Sequence, residues 1–150
     1  MAESSTEITT LNTLTATLID SVTGFRVAAE HTESTRFQLL FRKFADERSQ
    51  FVETLRQRVT TLGGEPEGDG SFMGKTHQRF LDLKAAVTGR DDKAIINEVE
   101  RGEDHLKDKF ETILKSDELS AESRSAVEQA YQSVRQGHDQ MSDLKHGMEA

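Results

Sequence analysis

The sequence contains no cysteine, no tryptophan, one proline and one tyrosine in 150 residues. Without cysteine there is neither a disulfide nor a thiolate metal site. No apolar run approaches the roughly 20 residues of a membrane-crossing helix, so no membrane partner is expected. The opening stretch MAESSTEI has no basic segment leading into an apolar one, which predicts no ordinary secretory signal. Basic excess is missing as well. The formal charge is −8, and a nucleic-acid binder would need a basic face to neutralise phosphates. These absences predict a soluble, cytoplasmic, acidic single domain over 1–150 with no nucleic-acid partner.

Apolar residues are also scarce, at 34% against 31% charged, but they are regularly placed. Ile8, Leu11, Leu14, Leu18, Val22, Phe25 and Ala29 follow steps of three and four, the stripe of an amphipathic helix. Phe37, Leu40, Phe41, Phe44, Phe51, Leu55, Val59 and Leu62 form a second stripe. Ser4 with Glu7, and Thr35 with Gln38, have the spacing of capping boxes. The threonines of 9–17 read as the solvated side of the first helix. Only HTES, residues 31–34, separates the two stripes, so the helices must fold back as a hairpin.

GGEPEGDGSFMG, residues 63–74, interrupts any helix with its glycines and the proline. A short helix carrying Phe80, Leu83 and Val87 is expected beyond it. Asp91 or Asp92 can cap the next helix, with Ile95, Ile96, Val99, Leu106, Phe110 and Ile113 inward and Lys115 near the negative end of its dipole. Ser120 opens the last, with Val127, Tyr131, Val134 and Met141 inward. The predicted helices are 6–31, 35–62, 72–88, 91–115 and 120–146. The fold expected is all-α: a four-helix bundle of two antiparallel hairpins, joined by a long crossover that contains an extra short helix. Ferritin-like bundles share that connectivity.

Three polar residues interrupt the buried stripes: Arg48, Glu103 and His138. An unpartnered buried ion costs several kcal/mol, so they should meet one another or a ligand. In one reading Glu103 bridges Arg48 and His138 in an internal network. In the other, Glu47, Glu103 and His138 hold iron or manganese, with solvent completing the coordination. Two-metal bundles use one Glu from each of two helices and Glu-x-x-His from each of the others. The chain offers only Glu47-x-x-Gln50 and Arg135-x-x-His138, a degenerate version of that pattern.

Gly24, Gly102 and Gly137 lie inside predicted helices, where each costs about 1 kcal/mol relative to alanine; close approach of a neighbouring helix or a local bulge would explain Gly102 and Gly137, and Gly24 is expected to let the short crossover helix pack close. His77 reads as a rim residue, with Asp20 as a candidate partner. No phosphate loop and no nucleophile elbow occurs, and no catalytic residue is assigned.

The segments LIDSVTGFRVAAE (18–30), Glu47-Arg48, LGGEP (62–66), GSFMGKTH (70–77), TGRDDK (88–93), ERGED (100–104) and His138-Asp139 together resemble the motif string of a known family. It is a bacterial family of uncharacterised four-helix-bundle proteins in the ferritin-like superfamily, and the resemblance covers about residues 8–145. It implies a ferritin-like bundle in a bacterial cytoplasm and supplies no activity. The family's recurrent polar positions fall here on Asp20, Glu30, Arg48, His77, Glu100, Glu103 and His138. The function expected is a non-catalytic bundle that binds or self-associates, as a homodimer, with a role in stress physiology. The alternatives are an iron- or manganese-binding redox or storage protein, and a helical adaptor for a protein partner.

Overall fold

The structure is a computed structural model that describes residues 2–68 and 92–149. Four helices appear in chain order: α1 (Ala2–His31), α2 (Thr35–Thr61), α3 (Asp92–Leu114) and α4 (Ala121–Glu149). No strand occurs among the described residues. The short helix expected over 72–88, and His77 within it, lie outside the described residues. So does the crossover helix against which Gly24 was expected to pack.

The helices form a four-helix bundle. α1 packs along α2 and α3 along α4, and the two pairs meet through α1 on α3 and α2 on α4. Contacts at the two ends give the directions. At one end, Thr32 follows α1 and donates to Asp92 Oδ1 at the start of α3 (2.6 Å). At the other, Thr10 near the start of α1 donates to Glu118 in the α3–α4 turn (2.7 Å). α1 and α3 are therefore antiparallel, α2 and α3 run the same way, and residues 62–91 connect opposite ends of the bundle.

Each helix carries a seam of alternating three- and four-residue steps. Leu11, Leu14, Leu18, Phe25 and Ala28 lie on α1; Phe37, Phe41, Phe44, Leu55 and Val59 on α2. Ile96, Val99, Leu106 and Phe110 continue it on α3, and Val127, Ala130, Val134 and Met141 on α4. Leu40, Phe51, Leu62, Ile113 and Tyr131, all expected inward, are only partly buried and flank this seam.

Local signals account for most helix ends, with some shifts. Ser34, one residue before the expected capping box, is the N-cap of α2, and its hydroxyl accepts from the Phe37 amide (3.2 Å). Gln38 reaches back instead to the Thr32 carbonyl. Gly63, at φ 86°, supplies the left-handed turn after α2. Asn12 then holds the departing chain against α1, donating to the Glu65 carbonyl and accepting from the Glu67 amide, both at 2.9 Å. Behind α3, Arg124 donates to the Leu114 and Ser116 carbonyls at 2.6 Å; Lys115, expected at this dipole end, is exposed.

The first helix departs furthest from expectation. Thr10, Thr15 and Thr17 are buried, not solvated. Burial is tolerated because Thr15 and Thr17 donate to the carbonyls of Leu11 and Thr13, one turn back. Glu7 does not close a capping box with Ser4, because α1 already begins at Ala2. It crosses to α4, where its carboxylate accepts from Ser123 Oγ (2.6 Å), the Ser120 amide (3.0 Å) and Ser120 Oγ (3.0 Å), with Arg58 at 3.9 Å.

Burial pushes the Glu7 carboxyl upward, but these hydrogen bonds and Arg58 outweigh it and hold the pKa below the ordinary value of 4.5. A depressed folded pKa makes the stabilisation fully present above about pH 4.5 and loses it as pH falls through the lower folded value. Glu7→Gln should therefore cost about 1 kcal/mol at neutral pH, the difference between charge-assisted and neutral hydrogen bonds. Denaturant midpoints measured from pH 7 down to 3 should show a shallower acid decline in the variant than in the wild type.

Candidate functional site

Midway along the bundle the seams lose their apolar character together. Ser21, Arg48, Glu103 and Gly137 each continue the seam of their own helix in its three-four rhythm, and they meet at one level. Every helix therefore contributes a seam position to a polar layer inside the apolar core, and α4 adds Ser133 to it.

Arg48 is fully buried and Glu103 is 2% exposed. Their side chains form a bidentate pair, Nη1 to Oε1 at 2.8 Å and Nη2 to Oε2 at 2.6 Å, the geometry in which arginine binds carboxylate most strongly. Arg48 Nη1 also donates to Ser21 Oγ (2.7 Å). Nη2 reaches the Ser133 carbonyl at 3.3 Å, and Nε reaches Ser133 Oγ at 3.4 Å. A guanidinium has five N–H donors, and the five acceptors named here use all of them. The Ser21 hydroxyl in turn lies 3.5 Å from Glu103 Oε1 as a donor.

Aromatic rings back the pair. The Arg48 guanidinium lies 5.3 Å from the Phe25 ring centre and 5.6 Å from that of Phe44, and those rings stack with centroids 5.4 Å apart. On the α4 side Gly137 lets the backbone come close. A Cβ there would fall 2.6 Å from Glu103 Oε2, and nearer still to Arg48 Nη2. The ion pair is withdrawn from solvent and internally neutral, with Ser21 half-buried at its edge. It is suited to hold four helices in register, since every guanidinium N–H is used by an acceptor of the protein.

His138 does not join it. The α4 seam passes through Val134, Gly137 and Met141, so residue 138 is turned toward α3, with a side chain 17% exposed. Its Nε2 pairs with Asp104 Oδ1, and its Nδ1 lies 3.2 Å from Asp139 Oδ1. Burial disfavours the imidazolium, but the bonds to Asp139 and Asp104 outweigh it and raise the pKa above the ordinary 6.5. The expected bridge from Glu103 to His138 is thus replaced by two separate arrangements, one sealed and one at the rim.

The expected donor set of Glu47, Glu103 and His138 is not assembled. Among the described residues, the acidic and histidine side chains close enough to share an ion are Glu100, Asp104 and His138. Glu47 is half-buried elsewhere on α2, and the cation of Arg48 occupies the carboxylate of Glu103. These residues do not fit a central two-metal group, because a guanidinium stands where a dication would have to be. Of the other motif positions, Asp20 is half-buried, Glu30 is exposed, and Glu100 is buried with Lys145 Nζ 3.2 Å away. Among the described residues nothing lies within 4 Å of a Cβ at Gly102, so none of the four described helices packs closely there.

The comparison with known families turns on α1 to α3. Residues 6–116 match DUF2383, a domain of unknown function. The chain belongs to that family. The DUF2383 match includes Ser21, Arg48 and Glu103 and ends before α4, which completes the layer with Ser133 and Gly137. It is shorter than the span of about 8–145 over which the motif string suggested a resemblance. No curated protein matches the chain. Within this DUF2383 chain, periodicity singles out Arg48 and Glu103 of the layer but not Ser21, Ser133 or Gly137. Ser21 could have been found, since it sits three residues after Leu18 and four before Phe25.

Proposed function

We propose that the protein is a non-catalytic ferritin-like bundle that acts through its surface, by associating with a second copy of itself. The observation that carries this reading is the sealed Arg48–Glu103 centre, whose donors are all used by the protein's own acceptors. The ferritin-like assignment is supported by two parallel helices, α2 and α3, linked end to end across the bundle, and by polar side chains converging at mid-height. Chemistry is not supported at such a centre, so the outer faces carry the function.

One face favours self-association. Leu39 is 64% exposed, the large hydrophobic residue that stands out among the described ones. It lies in an open groove of about 560 Å³ with Thr35, Arg36, Leu40, Lys43 and Gln140. A basic, apolar strip on a chain of charge −8 is complementary to the acidic remainder of another copy. The protein at tens of micromolar should sediment as a dimer that weakens with added salt. Leu39→Glu should raise the dimer dissociation constant at least tenfold, and at protein concentrations too low for dimerisation its melting temperature should match that of the wild type. A wild-type protein that sediments as a monomer at every concentration would exclude self-association and leave a different protein as partner.

A further inference from the structure

We propose that Glu100, Asp104 and His138 form a site for a single divalent transition-metal ion on the seam between α3 and α4, separate from the sealed centre. Glu100 and Asp104 are one turn apart on α3 and so share a face; His138 meets them from α4. One carboxylate oxygen from each and one imidazole nitrogen all lie within 4.8 Å of one another. Ligand atoms bound at about 2.0–2.2 Å are separated by at most about 4.4 Å. Small side-chain rotations therefore suffice to gather all three on one ion.

Three further features suit a cation. Asp139 Oδ1 is 3.2 Å from His138 Nδ1, the outer carboxylate contact that fixes a ligating imidazole and raises its basicity. That leaves Nε2 directed at Asp104. Glu100 is largely withdrawn from solvent. The ammonium of Lys145, 3.2 Å from Glu100 Oε2, is a cation of the protein's own at the edge of the cluster. A metal would displace it from that oxygen and would take the place of any proton on His138 Nε2, which leaves to solvent. One nitrogen and two oxygens match zinc, iron(II) or manganese(II) better than calcium or magnesium, which take oxygen ligands. The remaining positions go to water. The inference is independent of self-association, since the Leu39 groove contains none of these residues.

The test uses the full chain, stripped of metal and titrated with zinc chloride and with manganese(II) chloride, followed by calorimetry and by thermal melting. One equivalent should bind, zinc more tightly than manganese, with a melting temperature that rises with metal concentration. His138→Ala and His138→Gln should abolish the saturable step. Asp104→Asn and Asp139→Asn should each weaken it at least tenfold, Lys145→Met should tighten it, and Glu47→Gln and His146→Gln should leave it unchanged. Circular dichroism of each variant before titration separates lost binding from lost fold. No saturable binding by the wild type, or one equivalent still bound in both His138 variants, would overturn the proposal.

Discussion

Glu103→Ala should destabilise the bundle by about 3–5 kcal/mol, read from the shift of its denaturant midpoint. The loss would be large because it is not the value of the ion pair that disappears. Arg48 has no access to solvent, and removing its carboxylate leaves a buried cation with only hydroxyl and carbonyl acceptors. Against a total stability of roughly 5–15 kcal/mol for a domain of this kind, that is a substantial fraction. Asp104→Ala, one residue along α3 but more than half exposed, should change stability by no more than about 0.5 kcal/mol. The contrast between adjacent acidic residues is part of the expectation.

Gly137→Ala should be destabilising by about 2 kcal/mol, although helix propensity alone favours alanine by about 1 kcal/mol. The added methyl would sit 2.6 Å from Glu103 Oε2 and 3.4 Å from Phe44 Cε1. Overpacking a well-filled interior costs typically about 1–3 kcal/mol. The upper end applies here because the atoms in the way cannot swing aside. The guanidinium is held by five acceptors, and Phe25 and Phe44 stand beside it. Gly102 offers the opposite sign. Among the described residues nothing lies within 4 Å of its Cβ position, so Gly102→Ala should gain about 0.5–1 kcal/mol. Paired thermal melts of the two variants, displaced in opposite directions, would separate close helix approach from a general intolerance of glycine replacement.

The layout of the bundle was largely readable from apolar spacing, because a narrow bundle must bury one stripe of every helix. Arg48 and Glu103 were readable for the same reason: both occupy seam positions otherwise filled by Phe, Leu, Val and Ile. His138 was misplaced because position 138 is almost as good a continuation of Val134 as 137 is. The choice depends on which neighbour must come closest, and that is fixed by Arg48 and Glu103 on other helices. The buried threonines of α1 were misread because hydroxyls bonded to their own helix look, in sequence, like hydroxyls facing water. Glu7 was misread because capping-box spacing is local, whereas its partners Ser120 and Ser123 are brought to it only by the folded topology. The Glu100–Asp104–His138 cluster needed the α3–α4 register, which no single-helix pattern contains.

The polar layer also bears on how the helices choose their register. Four seams of similar apolar spacing could slide past one another by a turn with modest loss of burial. A charge pair that finds its partners at only one level disfavours every other alignment, at some cost in stability. Ser21, Ser133 and Gly137 are then the positions that make this one alignment habitable for an ion pair.

The most direct measurement of this account is a double-mutant cycle of chemical denaturation on Arg48→Met, Glu103→Leu and the combination. If the bundle centre is a sealed structural pair, each single change should cost about 3–5 kcal/mol. The double variant, with apolar side chains filling the same space, should return to within about 1 kcal/mol of the wild type or exceed it. Single variants of unchanged stability, or a double variant as unstable as the sum of the two, would contradict it.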